Sequence, residues 1–359
     1  MKLLLKWLVS ILIAGLFVWL SSRHWPMDHL LCDSVALDGD AVSCLAGPGA
    51  SVQWQVHLGW LLAGFAVLSL VHFLRVLRWV PLMRAMGDFD FWTLNRVGAV
   101  SFMCVFIFPL RLGEFVRPYL ASREGKIRKS AVFGTIAVER VMDGMMMALL
   151  LSGVLAVLPS DDAATFYSLR AGALVALAVF SSAMAMLMLA YWRRDLAVRV
   201  VHAVFGLVSH RIADKVAAMI DAFIGGMRAM PSRTNGLQFL VATMLYWGVN
   251  GFSYFFVMKA FGLDQWVDLA GAYAMMSAVA VGMMIPNSPA NVGSFWYFLL
   301  LPATLYGVPQ DTGTAMAFAL FIWALMLLQY ALFSGYFLLS GKVSIGALWS
   351  TQKDHLPEA

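Results

Sequence analysis

Apolar positions along this chain gather in long blocks. They do not follow the alternating or one-sided patterns of soluble strands and helices. The blocks run at about 3–21, 55–75, 89–108, 130–158, 168–192, 236–261, 267–285, 291–306 and 313–340, with polar or basic segments between most of them. Roughly twenty consecutive apolar residues form a helix long enough to cross the hydrocarbon core of a bilayer. Backbone groups in lipid must be bonded within their own segment, and the strand alternation of outer-membrane barrels is absent, so the blocks predict helices. The expected fold class is an all-α polytopic membrane protein. The first block is long for a signal peptide, and Ser21-Ser22-Arg23 makes a poor cleavage site, so it reads as an uncleaved span.

Composition agrees. Of 359 residues, 61% are hydrophobic and 13% are charged, about half the charged share of a soluble domain. This excludes an ordinary soluble enzyme and a disordered chain. The placement of charge says more than the net value of +5. Lys2 and Lys6 precede the first block, and Arg75, Arg78 and Arg84 follow the second. Arg123, Lys126, Arg128 and Lys129 crowd one loop, basic residues fill 193–233, and Lys342 and Lys353 follow the last block. Segments 22–53, 159–167, 262–266 and 307–311 hold one basic residue, Arg23. Basic loops face the cytoplasm, so both termini are expected there, in a bacterial inner (plasma) membrane.

That orientation puts the chain inside at Arg84 and inside again at Arg123. The apolar stretch between them, broken by Pro109-Leu110-Arg111-Leu112-Gly113-Glu114, therefore enters and leaves on one side. Its second arm, about 113–121, is too short to span. A re-entrant hairpin over 89–121 is expected. The same accounting predicts an outside-facing hairpin over 267–306, broken at Pro286-Asn287-Ser288-Pro289-Ala290-Asn291-Val292-Gly293. Six full spans and two hairpins result. Residues 1–158 and 159–342 form half-repeats of opposite orientation, and 343–359 form a cytoplasmic tail. Gly/Pro-interrupted segments in corresponding positions are the layout of inverted-repeat transporters. The segment 195–230 between the spans of the second half has apolar residues at helical spacing with charges between, so it reads as an amphipathic element on the membrane surface.

Charge at membrane depth is the candidate chemistry. Arg111, Glu114 and Arg117 lie at the first break, and Glu139, Arg140 and Asp143 lie inside the following span. Such groups are costly in lipid unless paired or facing a wet cavity. On a helix, Glu139 and Asp143 share a face, whereas Arg140 points aside and can reach Glu114. A helix N-terminus near Gly113 would attract anions, and Arg111 and Arg117 beside it would make a phosphate clamp. The alternative is an internal ion-pair cluster, which the balance of three acids and three bases suits. The second break is uncharged and offers Asn287, Ser288 and Asn291. His72 reads as a packing histidine, the methionines as core and lipid contacts, and Trp247 and Asn250 as helix-packing residues. Cys32 and Cys44 share a polar loop, where a disulfide depends on an oxidising compartment, and no cysteine or histidine spacing suits a metal. Nucleotide, dinucleotide and hydrolase motifs are absent, and the basic loops form no nucleic-acid surface.

Pro109-x-Arg111-x-Gly113-Glu114-x-x-Arg117, a basic loop with Ser130, and Glu139-Arg140-x-x-Asp143 resemble the lysylphosphatidylglycerol synthase transmembrane region, also called the flippase-like family. Trp247 with Ala260-Phe261-Gly262, and Pro286-x-x-Pro289-x-x-Val292-Gly293, look like its later motifs. The resemblance covers about residues 50–340. Gly293-Ser294-Phe295-Trp296-Tyr297 departs from the acid or histidine often found after the second glycine, and Val105-Phe106-Ile107-Phe108 lacks the family's polar residue before the first proline. The soluble synthase domain is absent, so lysyl transfer is not implied.

The resemblance implies lipid translocation with its motif residues on Arg111, Glu114, Arg117, Glu139, Arg140 and Asp143. Together with Gly113, Asn287 and Asn291 these form the expected substrate site. The expected activity is a flippase or scramblase for an anionic or phosphate-bearing lipid, either a phospholipid or a polyprenyl-phosphate-linked lipid. It would use no cofactor and no nucleic acid, and Glu139 or Asp143 would exchange a proton if movement is coupled. The alternatives are a membrane-embedded transferase acting on a lipid-linked substrate and a lipid-binding accessory subunit. The sequence names neither headgroup nor oligomeric state.

Overall fold

The computed structural model describes residues 2–25, 27–47, 49, 51–84, 86–158, 163–207, 209–218, 233–284, 288–309, 313–341 and 343. Its α-helices are α1 (Lys2–His24), α2 (Leu58–Leu77), α3 (Val80–Arg84), α4 (Phe91–Ile107), α5 (Val116–Gly125), α6 (Lys129–Val157), α7 (Ala163–Trp192), α8 (Arg194–Phe205), α9 (Arg233–Ala260), α10 (Leu269–Gly282), α11 (Ser294–Leu300) and α12 (Thr314–Leu339). Six segments are long and apolar enough to cross a membrane: α1, the joined α2–α3, α6, α7, α9 and α12. The two shorter apolar helices, α4 and α10, are the first arms of the two expected hairpins.

Apolar continuity explains these bounds. The largest departure from the expected boundaries is the end of the second span; the helix expected over 291–306 also ends early, at Leu300. Trp79-Val80-Pro81-Leu82-Met83 prolongs the apolar block past Arg78. Pro81 lacks an amide hydrogen and bends the chain between α2 and α3 rather than ending the span. Arg75 and Arg78 thus belong to the span and not to a cytoplasmic loop; Arg84 is the flanking residue. Asp90 caps α4, accepting hydrogen bonds from the Trp92 and Thr93 amides at 3.0 and 3.2 Å. These bonds, the Thr93 hydroxyl's foremost, hold its carboxyl below the usual carboxylate range.

The loop over 22–53 is more than a polar connection. Strands β1 (Ser34–Asp38), β2 (Ala41–Ala46) and β3 (Ser51–His57) form an antiparallel sheet in chain order, pairing Asp38 with Ala41 and Ala41 with His57. A two-residue turn at Gly39-Asp40 joins the first two strands, with Gly39 at φ 61°, a backbone conformation glycine tolerates best. Cys32 and Cys44 are bonded to each other. β3 runs straight into α2, and Trp54 packs against Phe261 and Phe321. The sheet is an addition to the expected all-α class.

The helices pack by exchange between the halves. α2 lies along α9; α6 packs on α10, and α12 packs on α4. Within each half, α4 returns through a turn to α5, and α10 returns to α11; α5 then meets α6, and α11 meets α12. The α6–α10 and α12–α4 contacts thus correspond to one another when the two sets of helices are exchanged. α1 stands outside it, against α11, and α7 lies against α6. In the 195–230 segment, Ala197 and Val201 of α8 are buried beside α6 and α7 while Leu196 and Val204 are exposed. Leu196 and Val204 belong to the expected apolar face, so that face is only partly buried; residues 208 and 219–230 lie outside the described ones.

The two turns share a plan. Pro109-Leu110-Arg111-Leu112-Gly113 and Pro289-Ala290-Asn291-Val292-Gly293 have the same spacing, each with proline opening a 3-10 turn. Both use left-handed residues that are not glycine: Arg111 at φ 58° in the first, Ala290 at 52° and Asn291 at 56° in the second. Such conformations are uncommon outside glycine and are held by surrounding structure. Gly113 closes the first turn against the Cys104–Val105 backbone, where a methyl group would overlap main-chain atoms. Gly113→Ala is therefore expected to destabilise the protein by about 1–3 kcal/mol, whereas Gly153→Ala, which faces open space, stays near wild type. Thermal unfolding of the two purified variants in the same detergent distinguishes them.

Candidate functional site

The centre of the molecule is an ionic cluster assembled from α2, α5 and α6. Arg78, at the bend after α2, is fully buried. Its guanidinium donates to both oxygens of Asp143, at 2.5 and 2.9 Å, and to Glu139 at 3.3 Å. It also lies over the Tyr246 ring, 4.5 Å from the centroid. Asp143 accepts a further bond from the Trp247 indole at 2.9 Å. Arg117, from α5, bonds both oxygens of Glu139 at 2.9 and 3.0 Å and packs over Trp79. Glu139 and Asp143 are thus held on one helix face by two guanidinium forks, the geometry that suits arginine and carboxylate best.

Arg111 pairs with Glu114 of its own turn at 2.8 Å, and its Nη1 donates to the Met283 carbonyl at 2.7 Å. It therefore ties the first turn to the far end of α10. The expected reach of Arg140 to Glu114 is not formed. Arg140 instead stands 4.0 Å from Glu139 and 3.8 Å from Asp143, at the edge of the cluster. Arg75, one turn before Arg78, packs 3.8 Å from the Phe102 ring centroid and donates to the Tyr330 hydroxyl at 3.3 Å.

A cavity of about 150 Å³ opens beside this cluster. Arg75, Arg111, Arg140 and Asp143 line it from the first half; Asn250, Asn291 and Tyr330 line it from the second. Of the expected site residues, Arg111, Arg140, Asp143 and Asn291 face the cavity. Arg117 and Glu139 do not: they are consumed in their own buried pair, so Arg117 is no free phosphate ligand. Glu114 serves Arg111, and Gly113 provides close packing against the Cys104–Val105 backbone. α5 begins at Val116, three residues past Gly113, directly after the 3-10 turn Pro109–Phe115. Asn287 lies outside the described residues.

The balance of three acids and three bases changes. Arg75 and Arg78 raise the set to five guanidinium groups against three carboxylates, an excess of two positive charges; Arg78, Arg117, Glu139 and Asp143 are buried and the other four half-buried. A self-contained ion-pair cluster does not need that excess. The signal for Arg75 and Arg78 was present in the sequence: apolar residues continue past both. His72 is a packing residue, stacked on Phe333 and bonded to Asn95 at 3.0 Å. Among the described residues, no group of three or more His, Cys, Asp or Glu side chains is placed to hold a metal ion.

The model of the family described as "Lysylphosphatidylglycerol synthase TM region" matches residues 48–333, and the chain belongs to that family. No curated protein and no solved structure matches it. The match begins ahead of α2 and ends within α12, so it contains the whole ionic cluster and both turns and leaves out α1.

Removing Arg78 leaves Asp143 and Glu139 short of a partner in a dry site. Arg78→Met is expected to cost about 3–5 kcal/mol, and Arg78→Met with Asp143→Leu to recover much of the loss. Melting temperatures of the single and double variants check this.

Proposed function

We propose that this member of the lysylphosphatidylglycerol synthase TM region family moves a lipid with an anionic, phosphate-bearing headgroup between the leaflets of a bacterial inner membrane, leaving it chemically unchanged. Family membership fits a function tied to membrane lipid. The observation that carries the reading is the place of the cavity: it lies where the two turns meet, with guanidinium groups from α2, the first turn and α6 facing it. A charged headgroup crossing hydrocarbon needs compensation at depth, and that is what these groups supply.

The sidedness follows from the same reading. With both termini cytoplasmic, α1 carries the disulfide-bonded sheet to the outer face, where disulfides persist. The α4–α5 hairpin then enters from the cytoplasm and the α10–α11 hairpin from outside, so the turns approach the midplane from opposite faces. Arg111, bonded to both turns' surroundings, sits between them. Glu139 and Asp143 anchor Arg117 and Arg78 rather than carrying protons, so movement needs no pH gradient.

The test is headgroup accessibility of labelled phosphatidylglycerol in vesicles holding the purified protein. Label equilibrates between leaflets without an ion gradient, and the recovered lipid is unaltered. Arg111→Ala and Arg140→Ala slow the exchange at least about tenfold, equivalent to about 1.4 kcal/mol in the barrier, whereas Arg199→Ala on α8 leaves it unchanged. Chemically altered lipid would establish a transferase instead, and bound lipid without exchange an accessory subunit.

A further inference from the structure

The charges of this cluster sort into pairs with a remainder. Asp143 is claimed by Arg78, Glu139 by Arg117 and Glu114 by Arg111. Arg75 and Arg140 are left over, and both line the same cavity. Among the described residues, Arg75 has no carboxylate within 4.0 Å; it has an aromatic face and one hydroxyl. Arg140 reaches only carboxylates already bonded to other arginines, at 3.8 Å or more. The Nε atoms of both, like that of the paired Arg78, are buried without a hydrogen-bond partner, so what sets these two apart is the lack of a carboxylate of their own. Guanidinium groups remain protonated in proteins and need acceptors for their donors. Two unmet positive charges around one cavity specify a ligand with two negative charges.

Resting on the lipid-transport reading above, we infer that the cavity takes a phosphomonoester: a lipid that ends in a bare phosphate, such as phosphatidate or a polyprenyl phosphate, in preference to a phosphodiester lipid. A phosphomonoester carries a charge of roughly −1.5 to −2 at neutral pH with three terminal acceptor oxygens. A phosphodiester carries a single charge and would leave one guanidinium uncompensated. Size agrees: a cavity of about 150 Å³ is below the roughly 300–1,000 Å³ of sites for drug-sized ligands. It suits a phosphate better than one extended by a sugar or an aminoacyl group. In this assignment Arg75 and Arg140 hold the two charges, and Arg111 at the turn joins them as a third donor.

The experiment measures binding of lipids with matched acyl chains to the full-length protein in nanodiscs. Phosphatidate, a polyprenyl phosphate, phosphatidylglycerol and inorganic phosphate are compared at pH 8. The two monoester lipids bind at least about tenfold more tightly than phosphatidylglycerol, the scale expected for one further charge pair near a protein surface. Lowering the pH to about 5, below the second phosphate pKa of about 6, removes that preference. Arg75→Gln and Arg140→Gln each remove it as well, and Arg75→Lys, which keeps the charge, retains most of it. The relative affinities of phosphatidate and the polyprenyl phosphate tell which chain carries the group; inorganic phosphate binding as tightly as either would overturn the lipid assignment.

Equal affinity for phosphatidate and phosphatidylglycerol at pH 8 overturns the inference whatever the variants do. A preference that persists at pH 5 does the same. Selective binding without transbilayer exchange of any lipid would instead sink the transport reading and leave the dianion site standing. Exchange of both lipids with equal binding would do the reverse.

Discussion

The fold depends on neutralising charge that cannot reach water. Arg78 is enclosed at the bend between α2 and α3, and the aspartate and glutamate that face it are one turn apart on α6. Taking such groups out of water costs several kcal/mol per ion unless their geometry is nearly ideal and their remaining hydrogen-bond capacity is filled. The structure meets that demand with forked contacts, the Trp247 indole and aromatic faces beneath the guanidinium groups. The pairs fix the distance and rotation of α2, α5 and α6 relative to one another. With those helices fixed, the first turn is carried to the cavity, and the surplus arginines have a defined place to face.

The second constraint is the shape of the two turns. Each must reverse the chain between an apolar first arm and a short second one, and each does so with left-handed residues and a closing glycine. The first turn brings a charge, Arg111; the second brings a neutral amide, Asn291. The two halves thus contribute the same geometry and different chemistry. The second turn satisfies its own polar groups: Ser288 donates to the Val292 carbonyl at 2.7 Å, and Trp323 donates to the Ala290 carbonyl at the same distance. The positive field in the cavity comes from the first half alone.

Much of this was legible in the sequence. Apolar length identified six long helices and two shorter ones because burial in lipid leaves little choice of backbone structure. The residues at depth were found because charge there is rare. Their roles were harder to read. Arg117 and Arg111 look alike in the motif, yet one is locked in a pair and the other faces the cavity, and only the packing of α5 on α6 separates them. Arg75 and Arg78 were lost to loop counting, although Trp79 to Met83 shows that the apolar run continues. The shared Pro-x-x-x-Gly spacing of the turns is too short to stand out by sequence alone; the repeated backbone conformation makes it visible. The sheet was hidden because its strands are brief and half-exposed, and the Gly39-Asp40 turn was its best signal.

The position of α1 has a consequence for how the molecule is made. Its middle, around Ala14 and Val18, abuts Gly293 so closely that a side chain at Gly293 would strike its backbone. α4 and α6 likewise rest on α12 and α10, elements that come late in the chain. α1 therefore waits for α11, made some 270 residues later, before it finds its seat. At about 5–20 residues per second, the early spans spend many seconds in the bilayer with these contact faces unmatched. The carboxylates that match Arg78 and Arg117 arrive with α6, but the apolar faces of α4 and α6 stay open until α12 and α10 are made, so the later spans complete the first half as much as they form the second.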